Sequence, residues 1–161
     1  MKLSFMALAA LASVTNGYTI QLHNADLNPP VTQEQFDLIR FSAHLSRAAF
    51  LPCKTPVGTQ FVRKITGTAT GYISRDTARN LYAIVMRGSA SAADFKTDGD
   101  FTLTPYDVPG SKGCEGCTMH HGFQESVRGV LPGILDSVKA EVAQNPNTKI
   151  LLTGHSLGGT C

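Results

Sequence analysis

No part of this 161-residue sequence is apolar for long enough to cross a bilayer: a spanning helix takes about 20 such residues, and the best stretch covers only residues 3–12. Charge is scarce as well. Charged residues make up 16% of the chain and the formal net charge is +2, which excludes the strongly basic footprint of a nucleic-acid binder. Asn-x-Ser/Thr is absent, so no N-glycosylation acceptor marks a surface loop. Internal repeats and low-complexity tracts are absent too, which excludes a solenoid or a fibrous array.

What remains is a chain of single-domain length, 42% hydrophobic, able to bury one core. Residues 1–17 read as a secretory signal: Lys2 supplies the positive start, residues 3–12 the short apolar segment, and small residues follow. Cleavage is expected after Ala12, where Ala10 and Ala12 make an AxA pattern, or after Gly17. The mature chain, residues 18–161, is then extracellular and in an oxidising setting, where its four cysteines suggest disulfides. Cys114 and Cys117, with Gly113 and Gly116 to permit a tight loop, are placed for a local bridge. The partners of Cys53 and Cys161 stay open.

Thr32 with Gln35 makes a capping box, and Phe36, Ile39 and Ala43 with Leu38, Phe41, Leu45 and Ala48 recur at helical spacing, so a helix is expected over about 33–50, ended by Pro52. Residues 61–74 are rich in Val, Ile, Thr and Tyr and read as strand. A polar turn over 75–80 separates them from the wholly apolar run 81–86, and together they predict a hairpin leading into a central strand covered on both faces. Residues 88–122 read as one long polar, glycine-rich connection. Phe123, Val127, Leu131, Ile134, Val138 and Val142 predict an amphipathic helix over 123–144. Its polar face carries Glu125, Arg128, Asp136, Lys139 and Glu141, and Pro132–Gly133 predicts a kink or break in the middle. An apolar strand follows at about 150. Strand, helix, strand favours an α/β fold with a parallel sheet.

That last strand runs into Gly154, His155, Ser156, Leu157, Gly158, Gly159. A serine on a sharp strand-to-helix turn, with glycines two before and two after it so that the backbone can pass closely, is the arrangement of a nucleophile elbow. A serine hydroxyl attacks an acyl carbon only when a base takes its proton, and the oxyanion that forms needs preplaced N–H donors. The residue after the serine, Leu157, supplies one such N–H. A loop after a neighbouring strand must supply the other, and Arg87, Gly88, Ser89 stands at the end of the 81–86 run. Five residues follow Ser156, so the helix that an elbow opens is expected to be missing.

Three blocks together, GYISRDTARNLYAIVMRGSASAADF (71–95), MHHGFQESV (119–127) and KILLTGHSLGGT (149–160), resemble the fungal class 3 lipases of the Rhizomucor type, a family that includes related feruloyl esterases. The resemblance runs from about Phe36 onward and implies the N-terminal part of an α/β-hydrolase fold, a mostly parallel sheet with flanking helices. It implies Ser156 as nucleophile, Ser89 and Leu157 as oxyanion-hole donors, and a helical lid over about 91–97, from Ser91 past Phe95, the position of a large aromatic. The implied activity is carboxylic ester hydrolysis by a secreted, monomeric lipase-like enzyme with no cofactor. A lipid or other ester is the substrate, with transient contact at a lipid interface and no nucleic-acid partner.

The CxxC loop at Cys114 and Cys117 ahead of His120 also matches the feruloyl esterase branch, and Thr160 stands where the family usually has alanine. The family's catalytic aspartate and histidine come after its serine by some tens of residues and more, so they are expected beyond Cys161. A chain ending there is expected to be inactive, either a fragment or a non-catalytic secreted module. His155 is expected to point away from the Ser156 hydroxyl and His120 to be structural. Zinc is not expected at Cys114, Cys117, His120 and His121, because the spacing is too short for a finger. Asp94, Asp98, Asp100 and Asp107 are expected to be solvated loop charges.

Overall fold

The computed structural model describes residues 30–52, 56–108 and 114–160. The expected signal at 1–17, Cys53 and Cys161 lie outside the described residues. Of the separate unit Met1–Thr32, only residues 30–32 are described, and they are exposed.

Helix α1 (Gln33–Ala48) leads into strands β1 (Gln60–Ile65), β2 (Gly71–Asp76) and β3 (Leu81–Met86). Then come helix α2 (Ala92–Asp98), the short strands β4 (Leu103–Pro105) and β5 (Thr118–His120), helix α3 (His121–Gln144), strand β6 (Lys149–Gly154) and one helical turn, α4 (Leu157–Thr160). The main sheet has the order β1-β2-β3-β6. Its first three strands are antiparallel neighbours, and β6 lies parallel to β3 from Leu81↔Lys149 to Met86↔Gly154.

The all-apolar β3 is buried at all six positions because a helix covers each face of the sheet. On one side Phe41 and Leu45 of α1 pack on Tyr72, Leu81, Ala83, Val85 and Leu151. On the other, Val130, Ile134 and Val138 of α3 pack on Ile65, Ile73, Tyr82, Ile84 and Met86. Polar ties fix the register of α1: the Tyr72 hydroxyl donates to the Leu45 carbonyl at 2.8 Å, and Ser46 Oγ lies 3.1 Å from Thr153 Oγ1 near the end of β6. At the other end of the sheet, Asp76 accepts from the Arg79 N–H at 3.0 Å and Lys149 N–H donates to the Asn80 carbonyl at 2.9 Å, so the β2–β3 turn also starts β6.

Four expectations need correction. The strand-like run over 61–74 is two strands, interrupted where Gly67 takes φ +147° and would meet Val130 if it carried a Cβ. Residues 88–122 are not one loop: their described residues hold α2 and the β4–β5 pair, which is extended at its two ends by Tyr106 N–H to Cys117 O at 2.9 Å and His121 N–H to Thr102 O at 2.8 Å. Helix α3 is continuous through Pro132, which is exposed, so water can serve the carbonyl left without an N–H partner. Its buried line also differs. Glu141, expected on the solvated face, is buried and bonded to the Arg75 guanidinium and Asn145 Nδ2, while Val142, expected in the apolar stripe, is exposed.

Candidate active site at the end of β6

Strand β6 stops at Gly154, and the chain reverses through His155 and Ser156 into α4. The turn is tight enough that Ser156 has φ 54°, in the left-handed region that a non-glycine residue enters only when its surroundings force it. Those surroundings are visible. A Cβ at Gly154 would run into the carbonyl oxygen of Gly158, and one at Gly158 into the carbonyl oxygen of Met86 at the end of β3. The two glycines let the strand end and the helix start lie against each other. Gly158 N–H donates to His155 O at 3.0 Å and Gly159 N–H to Ser156 O at 2.7 Å, closing the turn. The first turn of α4 is therefore formed, where the sequence led us to expect no helix. Leu157 is buried and Ser156 is exposed at the crest.

Arg87, Gly88 and Ser89 continue from the neighbouring strand β3 and meet this turn. A Cβ on Gly88 would lie 2.5 Å from the His155 carbonyl oxygen and 3.2 Å from Ser156 Cβ, so only glycine allows the corner to sit this close. Among the described residues no hydrogen bond occupies the N–H of Ser89 or of Leu157. The corner is held by its own bonds: Arg87 N–H donates to Thr70 O at 2.8 Å, the Arg87 guanidinium to Asp94 at 3.0 Å, and the Ser89 hydroxyl to Asp98 Oδ2 at 2.6 Å.

Asp94 and Asp98 both belong to α2, and here the expectation of solvated carboxylates is overturned. Asp94 is buried. Its Oδ2 accepts from the N–H groups of Ala90 and Ser91, each at 2.9 Å, while Ser91 Oγ accepts from the Asp94 N–H at 3.3 Å, a reciprocal capping box. Burial works against the charge, but these N–H donors, the Ser91 hydroxyl and the Arg87 guanidinium outweigh it and hold the carboxyl below its ordinary range. Asp100, half-buried, lies 2.5 Å from His121 Nδ1, whereas Asp107, 3.1 Å from Arg128, is an exposed loop charge as expected. The Ser91-x-x-Asp94 spacing carried the capping signal in the sequence. So α2 is a helix at the expected lid segment, with Ser91 as its cap rather than part of its body. Phe95 is 63% exposed on it.

Of the histidines, His155 turns its ring edge-on to Phe50, centroids 5.9 Å apart. His120 caps α3 by accepting from Phe123 N–H at 3.3 Å and stacks on the Phe123 ring. Cys114 and Cys117 form a disulfide with Cα atoms 5.3 Å apart, in the loop before β5. Among the described residues no group of three or more His, Cys, Asp or Glu side chains is arranged to hold a metal ion.

The family model for lipase (class 3) matches residues 83–161, from inside β3 through α2, α3 and β6 to the serine turn. That segment is similar to the class 3 lipase family. Over 180 aligned residues the chain is 28% identical to secreted mono- and diacylglycerol lipase 1 of Fusarium solani, covering 98% of this chain and 51% of that protein. Over 94 residues it is 39% identical to secreted mono- and diacylglycerol lipase A of Penicillium cyclopium, covering 58% of this chain and 29% of that one. A solved triacylglycerol lipase from Penicillium expansum matches with a TM-score of 0.67 at 28% identity, over 78% of this chain and 50% of that structure. The chain thus spans about half the length of these lipases or less, and carries that part of their α/β-hydrolase fold. Within this lipase-like segment, Asp94 and Asp98 are the residues whose part in holding the corner the sequence reading missed.

Proposed function

We propose that the whole protein is a secreted carboxylic ester hydrolase acting on acylglycerols through an acyl-enzyme on Ser156, with residues 1–17 as its export signal and the monomer as its working form. The observation that carries this reading is an exposed serine at φ 54°, on the turn where the two glycines and the Gly88 corner converge. Ser156 Oγ attacks the ester carbonyl carbon and gives up its proton. The oxyanion is received by the N–H groups of Leu157 and Ser89, the alcohol leaves with a proton, and water then releases the acid.

The proton acceptor on this reading is neither His155, turned onto Phe50, nor His120, engaged in capping, nor His121, paired with Asp100. Acylglycerols are favoured because the matched relatives are named mono- and diacylglycerol lipases. On this reading α2 is the lid, from its cap Ser91 through Phe95, and Phe95 touches the lipid interface. The Cys114–Cys117 bridge ahead of His120 favours a second reading, a feruloyl esterase.

Labelling of the secreted protein by a fluorophosphonate probe should occur and be abolished by Ser156→Ala. Labelling that survives the substitution, or a folded protein that never labels, would refute the nucleophile. Comparing a monoacylglycerol with methyl ferulate decides between the substrate classes.

A further inference from the structure

Nothing covalent joins the Gly88 corner to the serine turn, and the contact between them is backbone against backbone. The Phe50 side chain lies against both. Phe50 follows α1 and is fixed by successive i→i−3 bonds, Ala49 N–H to Ser46 O at 3.2 Å, Phe50 N–H to Arg47 O at 3.1 Å and Leu51 N–H to Ala48 O at 3.1 Å. Its ring meets His155 edge-on, and its Cζ lies 3.1 Å from where a Gly88 Cβ would be. It also forms a wall shared by two clefts, one of about 480 Å³ with Gly154 and His155 in its lining and one of about 360 Å³ with Arg87 in its lining.

We propose that Phe50 is a positioning residue that keeps the Ser89 N–H at a fixed distance from Ser156 by bracing Gly88 and His155 together. This rests on the reading of Ser156 as nucleophile. A donor that drifts by about 1 Å loses up to about a hundredfold in rate, whereas substrate binding elsewhere is untouched. Removing the brace should therefore slow the acylation step and leave the affinity of the encounter complex alone.

The test is the secreted protein with Phe50→Ala and Phe50→Leu, and Leu51→Ala as an exposed neighbouring control. With a fluorophosphonate, the maximal inactivation rate should fall roughly ten- to a hundredfold in Phe50→Ala with the half-saturating probe concentration unchanged. Phe50→Leu should recover most of the loss, and Leu51→Ala should match the parent. Independently of any reactivity, the Arg87 amide, bonded to Thr70, should exchange with solvent several-fold faster in Phe50→Ala and recover in Phe50→Leu. An unchanged inactivation rate with unchanged Arg87 exchange overturns the brace. A parent that never labels refutes the nucleophile instead, and the exchange measurement then decides the brace alone.

Discussion

Replacing Ser156 by glycine should make the protein more stable while removing its proposed nucleophile. Ser156 has φ 54°, where an L-residue is disfavoured by about 1–2 kcal/mol because Cβ crowds the backbone. Glycine removes that crowding but also enlarges the freedom of the unfolded chain, which returns about 0.5–1 kcal/mol. The mid-range difference is a gain of roughly 0.75 kcal/mol, or about 1.5–3 °C in Tm for a unit of this size.

The backbone cannot escape the strain by relaxing. Gly154 is fixed by pairing with Met86, Gly158 and Gly159 are bonded back to His155 and Ser156, and Gly158 lies against the β3 terminus. Ser156→Ala is the necessary control, since it removes the hydroxyl and retains the Cβ. Urea unfolding of the two variants should therefore place Ser156→Gly above Ser156→Ala by that margin. Equal midpoints, or a less stable glycine variant, would refute the claim that the turn is strained and overdetermined.

Gly158→Ala should destabilise by about 2 kcal/mol or more in the same assay, because the new methyl group meets the Met86 carbonyl and neither backbone can yield. Asp94→Ala should lose about 1.5–3 kcal/mol at neutral pH, since it removes the N3 carboxylate of the α2 capping box and leaves the Arg87 guanidinium without its carboxylate. Because the folded-state pKa of Asp94 is lowered, that contribution is present above the ordinary carboxylate range and is lost as pH falls through the folded value. The parent and Asp94→Ala should therefore converge in stability only in acid. His121 should titrate above 6.5 by NMR, because the hydrogen bond and charge of Asp100 favour its protonated form, and Asp100→Asn should bring it back towards that value. A His121 titration unmoved by Asp100→Asn would exclude the pair in solution.

Local chemistry made much of this protein legible in the sequence. The six apolar residues 81–86 required cover on both sides, and α1 and α3 supply it. The glycine spacing about Ser156 required a close strand-helix passage, and the clashes at Gly154 and Gly158 account for it. The order strand, helix, strand required parallel pairing, which β3 and β6 show. What failed were inferences from residue type without a partner. A carboxylate in a polar stretch looks solvated, yet Asp94 is buried because backbone donors and an arginine from β3's end converge on it. Glu141 repeats the lesson with Arg75 of β2, 66 residues away.

Sequence by itself determined the elements whose cause lies within one turn or one strand: periodicity, capping, and the glycines of a tight bend. Tertiary structure alone decided which groups face one another across those elements. The approach of Gly88 to Ser156 and the touch of Phe50 on Gly88 and His155 depend on distances set by the β3–β6 register and the seating of α1. Such distances arise from the packing of the whole sheet, which no local stretch of residues encodes.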